Sequence, residues 1–166
     1  GLFSPKSIDE GTRLLIDNLE VSEGDVCLDL GCGYGPIGLV MAKLSGTGKV
    51  YMVDKDFVAV AYAQKNVRGN GIKNCEVLLS NAFSHLPKVK FDVIASNLPA
   101  NAGKELLNII LLEAREHLNP NGKLYVVTIS GLREYIKRNF TEFFGNYQKV
   151  KQGKNHTVGL AVRQKE

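Results

Sequence analysis

The sequence predicts an α/β fold in which helices cover both faces of a mostly parallel sheet. Between residues 26 and 129, short apolar runs alternate with longer segments of helical periodicity, as in folds built on parallel strands. The first four runs are each followed by a glycine-rich turn or a polar side chain. Because right-handed crossovers bring the carboxyl ends of parallel strands to one edge, these polar features are expected there together.

The composition is typical of one globular domain. The chain has 166 residues, of which 44% are hydrophobic and 23% charged. Neither a secretory signal nor an apolar run near the roughly 20 residues of a membrane-spanning helix is present, so no membrane association is predicted. The three cysteines form no C-x-x-C pair and indicate a reduced, cytoplasmic protein. The histidines are scattered, and no metal site is predicted.

The N-terminal segment predicts a helix over residues 7–19. Ser7 and Glu10 have the spacing of a capping box, in which Ser7 caps the helix and Glu10 reaches back to the cap. Leucines at helical spacing then form an apolar stripe. The abrupt start at Gly1 suggests that the chain belongs to a longer protein.

Strands and helices alternate after this helix. Strands are predicted over residues 26–30, 49–53, 75–79, 91–96 and 123–129. Helices are predicted over residues 36–44, 56–67 and 103–118. Pro36 occupies a permitted first-turn position, Asp56 is a helix cap, and Asn119–Gly122 predicts a turn before the last of these strands.

The C-terminal part predicts a helix over residues 132–144 and a hairpin of strands over residues 146–151 and 157–163. A short Gly/Asn loop joins the two strands, so the last strand should be antiparallel to its neighbour. No linker, repeat or low-complexity segment divides the chain. We therefore predict a single domain over residues 1–166.

The net charge of +4 is unevenly placed. Residues 1–132 carry 13 Lys/Arg and 14 Asp/Glu, whereas residues 133–166 carry 8 and 3. The basic side chains within residues 133–154 are Arg133, Lys137, Arg138, Lys149, Lys151 and Lys154. They are candidates for contacts with nucleic-acid phosphates, and on charge alone an ordinary solvated surface is the alternative.

The segment Val26–Pro36 reads V-C-L-D-L-G-C-G-Y-G-P and joins a strand to a helix through three glycines. Such a turn brings bare backbone and a helix N-terminus to one point, where a ligand can bind. An ordinary tight connection is the alternative for this motif alone. Asp54, Asn81 and Asn97 follow the next three strands, and a carboxylate placed like Asp54 suits ribose hydroxyls. Together they predict a ligand cleft.

The order D-L-G-C-G-Y-G, an acidic residue after the second strand, S-N-A and N-L-P resembles the class I S-adenosylmethionine-dependent methyltransferases. Gly1–Ser4, Asp9–Thr12 and Asn97–Glu105 are most similar to the guanine-N2 methyltransferases of small-subunit rRNA and their short archaeal relatives. This resemblance implies a Rossmann-like three-layer sandwich. Its seven-stranded sheet would have the order 3-2-1-4-5-7-6, with strand 7 antiparallel.

The resemblance also implies S-adenosyl-L-methionine as cofactor, held by the half over residues 26–86. The expected contacts are Asp29, Gly31, Cys32 and Gly33 to the methionine moiety, Asp54 to ribose, Lys55 beside adenine, Asn81 and Ala82 at the adenine edge, and Asn97. A nicotinamide dehydrogenase is the rival interpretation. It would need G-x-G-x-x-G, but Pro36 and Ile37 follow Gly35.

The half over residues 91–166 would bind the acceptor. Asn97 and Pro99 are the predicted catalytic residues: the Asn97 oxygen and a carbonyl at Leu98 or Pro99 would hold an amine's hydrogens, and Pro99 would fix the turn. Substrate contacts are expected from Phe3, Leu98 and Ala100.

Ala100 departs from the related motif, which places an aromatic residue there to stack on a flipped base. Phe3 or Tyr34 are candidates for stacking, although packing roles suit both. The resemblance implies guanine N2 in rRNA or tRNA as the target, and Ala100 is a departure from the pattern that carries this implication. Guanine N7, a protein side chain or a small molecule, and an inactive cofactor-binding RNA-interaction subunit remain as alternatives.

Overall fold

The computed structural model describes residues 8–165. The strands are β1 (Cys27–Leu30), β2 (Val50–Asp54), β3 (Cys75–Leu79), β4 (Phe91–Asn97), β5 (Leu118–Ile129), β6 (Gln148–Gln152) and β7 (His156–Val162). The helices are α1 (Glu10–Asn18), α2 (Pro36–Ser45), α3 (Phe57–Gly69), α4 (Lys104–His117) and α5 (Arg133–Phe144), with a short 3-10 turn at Ser130–Leu132.

The seven strands form one sheet in the order β3-β2-β1-β4-β5-β7-β6. Strands β1 to β5 are parallel to one another, and β7 is antiparallel to both β5 and β6. The predicted topology, including the terminal hairpin, is confirmed. The carboxyl ends of β1 to β5 consequently lie along one edge of the sheet.

Two apolar cores cover the two faces of the sheet. Helices α1, α2 and α3 contribute to one core through Leu15, Ile37 and Val60, among others. Helices α4 and α5 contribute to the other through Leu107 and Ile136. This is the expected three-layer sandwich, in which buried strands carry apolar side chains on both faces. Within residues 8–165, no helix combines the length and apolar character needed to cross a bilayer.

Helix α1 does not begin where the capping-box pattern placed it. The helix starts at Glu10, and its N-cap is Asp9, whose carboxylate accepts from the Thr12 amide. Ser7 lies outside the described residues. Glu10 accepts from the side-chain amide of Asn155 instead of reaching back to the helix start. The predicted start was wrong because aspartate is as good an N-cap as serine, and the Asp9 carboxylate also accepts from the Thr12 hydroxyl.

Strand β5 is longer than predicted because it includes the Asn119–Gly122 segment. The pairing with β4 shifts register between Phe91 and Val93, and Asn121 has φ 69°. The Asn121 amide donates to the Arg163 carbonyl at 2.7 Å, and the Arg163 amide donates to Gly122 at 2.9 Å. The turn residues therefore form an irregularity inside the strand, since tertiary hydrogen bonds replace the regular ladder.

Candidate active site

A cleft of about 340 Å³ opens at the carboxyl edge of the sheet. The residues that both line it and were predicted as site residues are Gly31, Asp54, Lys55, Asn81, Ala82, Asn97, Leu98 and Pro99. They come from segments that follow four different strands. The structure thus brings together the polar features that the sequence placed at one edge.

The glycine turn is tied to the neighbouring strand β2. The Gly31 and Cys32 amides both donate to the Val53 carbonyl at 2.9 Å, and the Gly33 amide donates to Asp54 Oδ2 at 3.0 Å. These three backbone donors are already hydrogen-bonded within the protein. The turn therefore allows a ligand to approach the backbone closely, but these three amides are not free to bind it. Gly31 and Gly33 have φ of 73° and 57°, the left-handed region that glycine adopts most readily.

Asp54 is fixed at the cleft by two backbone hydrogen bonds. Its Oδ2 accepts from Gly33, and its Oδ1 accepts from the Asp56 amide at 2.9 Å. A carboxylate oxygen can accept more than one hydrogen bond, so both oxygens retain capacity for a ligand. Asp56 separately caps α3 by accepting from the Val58 amide. The two carboxylates therefore have distinct tasks, and that of Asp54 is directed to the cleft.

Asp29 lies beneath the glycine turn and is completely buried. Its Oδ2 accepts from the Gly38 amide at 2.9 Å, whereas Oδ1 has no hydrogen-bond partner among the described residues. Burial raises the pKa of Asp29 to about 7; the Gly38 hydrogen bond opposes this rise, and the Asp54 charge adds to it. Asp29 thus holds the first turn of α2 from below, and its role toward a ligand stays a prediction.

Cys32 is buried in the same turn. Burial, with the charges of Asp29 and Asp54, raises the pKa of its thiol far above the ordinary value. Burial likewise raises the pKa values of Cys27 and Cys75 to about 12. The thiolate is the nucleophilic form of cysteine, so none of these three residues is suited to nucleophilic catalysis at neutral pH.

Ser80 shapes the turn that presents Asn81 to the cleft. Its hydroxyl donates to the Ala82 carbonyl at 2.6 Å and accepts from the His85 amide at 3.0 Å. Ala82 has φ 51°, which a non-glycine residue seldom adopts. Phe83 packs away from the cleft, where its ring stacks on His117 with centroids 4.5 Å apart.

The acceptor segment leaves β4 at Asn97 and stays attached to the sheet. The Leu98 amide donates to the Val127 carbonyl at 3.1 Å, and Leu98 is buried. Pro99 and Ala100 are exposed. The Pro99 carbonyl already accepts from the Ala102 amide at 3.2 Å, so of the two carbonyls considered for an acceptor amine, that of Leu98 is better suited.

Several residues that line the cleft were not predicted from the sequence: Leu30, Ser96, Ala102, Leu106 and Ile110, in addition to Ser80. Leu106 and Ile110 are four residues apart on α4, and Leu106 is 48% exposed. An apolar pair at this spacing is ordinarily attributed to core packing, although one end of α4 borders the cleft. The structure therefore adds an apolar wall beside Asn97.

The two aromatic candidates for stacking have different outcomes. Phe3 lies outside the described residues. Tyr34 is half-buried in the glycine turn, where its carbonyl accepts from the Asn66 side-chain amide at 2.8 Å. A stacking contact between either residue and a base stays a prediction.

Cations from α5 and β6 converge on one face of the molecule. Arg133, Lys137 and Lys149 surround a depression of about 330 Å³ together with Glu134 and Tyr147. Arg133 also pairs with Glu134 at 3.6 Å, which is an exposed and therefore weak interaction. We call Arg133, Lys137 and Lys149 the basic cluster.

The sequence model of one protein family, the methyltransferase small domain, matches residues 1–159. The chain belongs to the methyltransferase small domain family. The resemblance to the class I S-adenosylmethionine-dependent methyltransferases, which the order of motifs along the sheet predicted, is thereby confirmed.

Individual relatives agree with this assignment. YbxB of Bacillus subtilis, an uncharacterized protein, is 40% identical over 130 residues, which are 76% of this chain and 64% of YbxB. The 16S rRNA N2 G1207 methyltransferase RsmC of Thermus thermophilus, solved with AdoMet and guanosine, is 27% identical with a TM-score of 0.85. That match covers 98% of this chain but only 45% of RsmC.

A methyltransferase from Pyrococcus furiosus shares the fold, with a TM-score of 0.74 and 24% identity over 98% of this chain and 87% of its own. This chain thus spans less than two thirds of the length of both YbxB and RsmC.

Proposed function

We propose that this domain transfers a methyl group from S-adenosyl-L-methionine to the exocyclic N2 of a guanine in rRNA or tRNA. The observation that carries the proposal is the continuity of the cleft. Asp54 and Asn81 line one part of it, and Asn97 and Leu98 line another. A donor and an acceptor bound in one cleft can meet without further rearrangement. Similarity to RsmC, which was solved with AdoMet and guanosine, supports the choice of acceptor.

The residues of the cleft fit S-adenosylmethionine. Among residues 8–165, a Cβ added at Gly31 or Gly33 would meet no atom within 4 Å, so it would face open space. Asp54 keeps acceptor capacity for two neighbouring hydroxyl groups, as a ribose offers. Lys55, Asn81 and Ala82 continue the cleft on the side where the base of the nucleoside would lie.

When bound, the cofactor supplies an electrophilic methyl group on a positively charged sulfur. The nitrogen of an aromatic amine is a poor nucleophile because its lone pair is delocalised into the ring. Asn97 Oδ1 and the Leu98 carbonyl would accept the two N–H hydrogens of the amine and aim its lone pair at the methyl carbon. Pro99 restricts the backbone that carries the Leu98 carbonyl. An amide oxygen is too weak a base to take the proton, which leaves to solvent.

The basic cluster supports RNA as the substrate. Two of its members lie on α5, which begins four residues after the carboxyl end of β5, and the third lies on β6. Phosphates some distance along the RNA from the bound nucleotide would meet these cations while the base enters the cleft. Such contacts position a nucleic acid without reading its sequence.

The test is incubation of the protein with labelled S-adenosylmethionine and unmodified rRNA or tRNA, followed by mass spectrometry of the nucleosides. N2-methylguanosine is the expected product. Label at guanine N7 would overturn the choice of atom, and label found only in protein would overturn RNA as acceptor. Failure of the folded protein to bind the cofactor in calorimetry would overturn the whole proposal.

Asn97→Ala tests the acceptor side separately from cofactor binding. Transfer should fall about 100-fold or more, because the amine loses the group that orients it. The Kd for S-adenosylmethionine should stay within severalfold of the wild-type value. Asn101→Ala, which changes an exposed asparagine of the following loop, is the matched control and should leave transfer unchanged. Unchanged turnover in Asn97→Ala would remove Asn97 from the mechanism.

A further inference from the structure

The side-chain amide of Asn97 is joined to the start of α1 by a closed set of hydrogen bonds. Its Nδ2 donates to Thr12 Oγ1 at 3.0 Å and lies 3.4 Å from each carboxylate oxygen of Asp9. The Thr12 hydroxyl donates to Asp9 Oδ2 at 2.8 Å, and the Thr12 amide donates to Asp9 Oδ1 at 3.1 Å. Each group in the set therefore has a definite role as donor or acceptor.

These roles leave one orientation for the Asn97 amide. An ionised carboxylate only accepts hydrogen bonds, and the Thr12 hydroxyl has already donated its one proton to Asp9. Of the two ends of the Asn97 amide, only the NH₂ end can donate a hydrogen bond to these acceptors. The carbonyl end must then point away from α1, and Asn97 lines the cleft.

Asp9 carries the charge that this orientation requires. Burial raises the pKa of its carboxyl, but hydrogen bonds from Thr12, Gly11 and Asn97 more than offset that effect and leave the pKa below its ordinary value. Asp9 is consequently ionised at neutral pH. A charged acceptor strengthens the hydrogen bonds that it receives.

The start of α1 is itself fixed against the sheet. Gly11 is buried against His156 at the beginning of β7; a Cβ on Gly11 would lie 2.9 Å from His156 Cδ2. Glu10 accepts from the side-chain amide of Asn155 at 3.1 Å, and Leu15 is completely buried in the core. Asp9 and Thr12 are thus attached to a helix with a defined position relative to β4.

We propose that Asp9 and Thr12 are positioning residues that hold the carbonyl oxygen of Asn97 toward the acceptor before the acceptor enters. The consequence for turnover rests on the proposed function, in which that oxygen accepts a hydrogen bond from the amine. A carboxamide free to flip would present its NH₂ end to the amine in part of the population, and two donors repel. The Asp9 charge also polarises the amide and makes its oxygen a stronger acceptor.

The variants that test this proposal distinguish the effect of the Asp9 charge from that of the Thr12 hydroxyl and from the capping of α1. Thr12→Val removes the hydroxyl at nearly constant shape, and Thr12→Ser restores it. Asp9→Asn removes the charge and keeps an N-cap residue of equal quality. Asp17→Asn is the matched control, because Asp17 is an exposed aspartate of the same helix. Thermal unfolding establishes that each variant is folded.

Two measurements are made on every variant. Nitrogen–proton correlation spectra follow the side-chain amide of Asn97, assigned as the signals missing from Asn97→Asp. These signals should shift in Asp9→Asn and Thr12→Val, return in Thr12→Ser and stay in place in the Asp17→Asn control. In methyl-transfer assays, kcat should fall about tenfold in Asp9→Asn and Thr12→Val, as for the loss of one hydrogen bond, while KM for the cofactor changes less than about twofold.

The outcomes distinguish this proposal from the proposed function. Asn97 signals that respond to neither Asp9→Asn nor Thr12→Val would overturn the hydrogen-bond network, whatever the activity. Signals that shift while kcat stays constant would overturn the positioning role. If the wild-type protein methylates no RNA, but the Asn97 signals shift as expected in Asp9→Asn and Thr12→Val, the proposed function is overturned. The orientation of Asn97 is upheld in that case.

Discussion

At the scale of single residues, burial gives two aspartates of the cleft region different tasks. Asp54 is half-buried, and both its oxygens accept backbone hydrogen bonds while still facing the cleft. Asp29 is completely buried, and one of its oxygens has no partner among the described residues. Removing a carboxylate from water disfavours its charged form, which explains why the pKa of Asp29 is raised to about 7.

Asp29 should make the stability of the protein depend on pH. Since its pKa is raised in the folded state, the protonated carboxyl favours folding. This contribution is complete below the ordinary pKa of 3.8 and is lost as the pH rises to about 7. Relative to Asp29→Asn, the wild-type free energy of unfolding should fall by about 2 kcal/mol between about pH 5.5 and about pH 8.5.

Urea denaturation of both proteins at the two pH values measures this difference. The side-chain amide in Asp29→Asn changes the free energy of unfolding by the same amount at both pH values. Comparing the pH dependence of the two proteins removes this effect. Parallel pH dependence in wild-type and Asp29→Asn would show that Asp29 does not titrate with a raised pKa.

At the scale of elements, α1 contributes to the site through residues that are distant in sequence from the residue they contact. It carries Asp9 and Thr12 to Asn97, 85 or more residues away in sequence. Its contact with β7 depends on Gly11, because a larger residue would meet the His156 ring. The absence of a side chain at position 11 is therefore a packing requirement for the acceptor side of the cleft.

Gly11→Ala should displace the start of α1. Overpacking of this kind costs about 1 to 3 kcal/mol, and methyl transfer should fall because Asp9 and Thr12 move relative to Asn97. Gly69→Ala is the matched control: Gly69 ends α3, and a Cβ there would meet no atom of the described part of the chain within 4 Å. Replacing this glycine should leave transfer unchanged and raise stability by up to about 1 kcal/mol. Denaturation and transfer assays measure both effects, and equal behaviour of the two variants would contradict the role of Gly11.

The elements themselves were largely predictable from local sequence. Apolar runs and their terminating polar residues gave β1 to β4, and the Gly/Asn loop gave the hairpin of β6 and β7. The polar ends of parallel strands must meet at one edge, so the positions of Asp54, Asn81 and Asn97 at the cleft also followed from topology.

Features that depend on contacts between distant segments were not predictable. The choice of Asp9 as the cap of α1 places its carboxylate beside Asn97, and nothing within one turn of helix signals that contact. The irregular start of β5 depends on hydrogen bonds with Arg163. The cleft wall formed by Leu106 and Ile110 resembles an ordinary apolar helix face until the neighbouring loop is in place.

At the scale of the whole molecule, the basic cluster and the cleft lie on different parts of the sheet. The cleft lies over β1, β2 and β4, whereas the basic cluster lies on α5 and β6 toward one end of the sheet. An RNA that contacts both would be held by its phosphates some distance from the nucleotide that reacts. Binding and catalysis should then respond to different substitutions.

Combined replacement of the basic cluster, Arg133, Lys137 and Lys149, by alanine should weaken RNA binding about tenfold at moderate salt. Each lost phosphate contact lowers the slope of log K against log salt by about 0.7 to 0.9, so the slope should fall by about 2. Turnover at saturating RNA should be nearly unchanged. A filter-binding series over salt concentration, with kinetics, measures these quantities.

The control for this prediction replaces three cations at the other end of the sheet. Lys65, Arg68 and Lys73 are exposed and lie on or just after α3. Their combined replacement by alanine changes the net charge equally. A similar loss of RNA affinity in both triple variants would show that only the total charge matters and would remove the basic cluster as a specific contact.

The three native thiols have a practical consequence for following this molecule in solution. The raised pKa values of Cys27, Cys32 and Cys75 make their alkylation slow at neutral pH. A cysteine introduced on an exposed loop should therefore react with a fluorescent maleimide well before any of them. Site-specific dyes can then report the distance between protein and RNA during a single turnover, with the native cysteines left in the sequence.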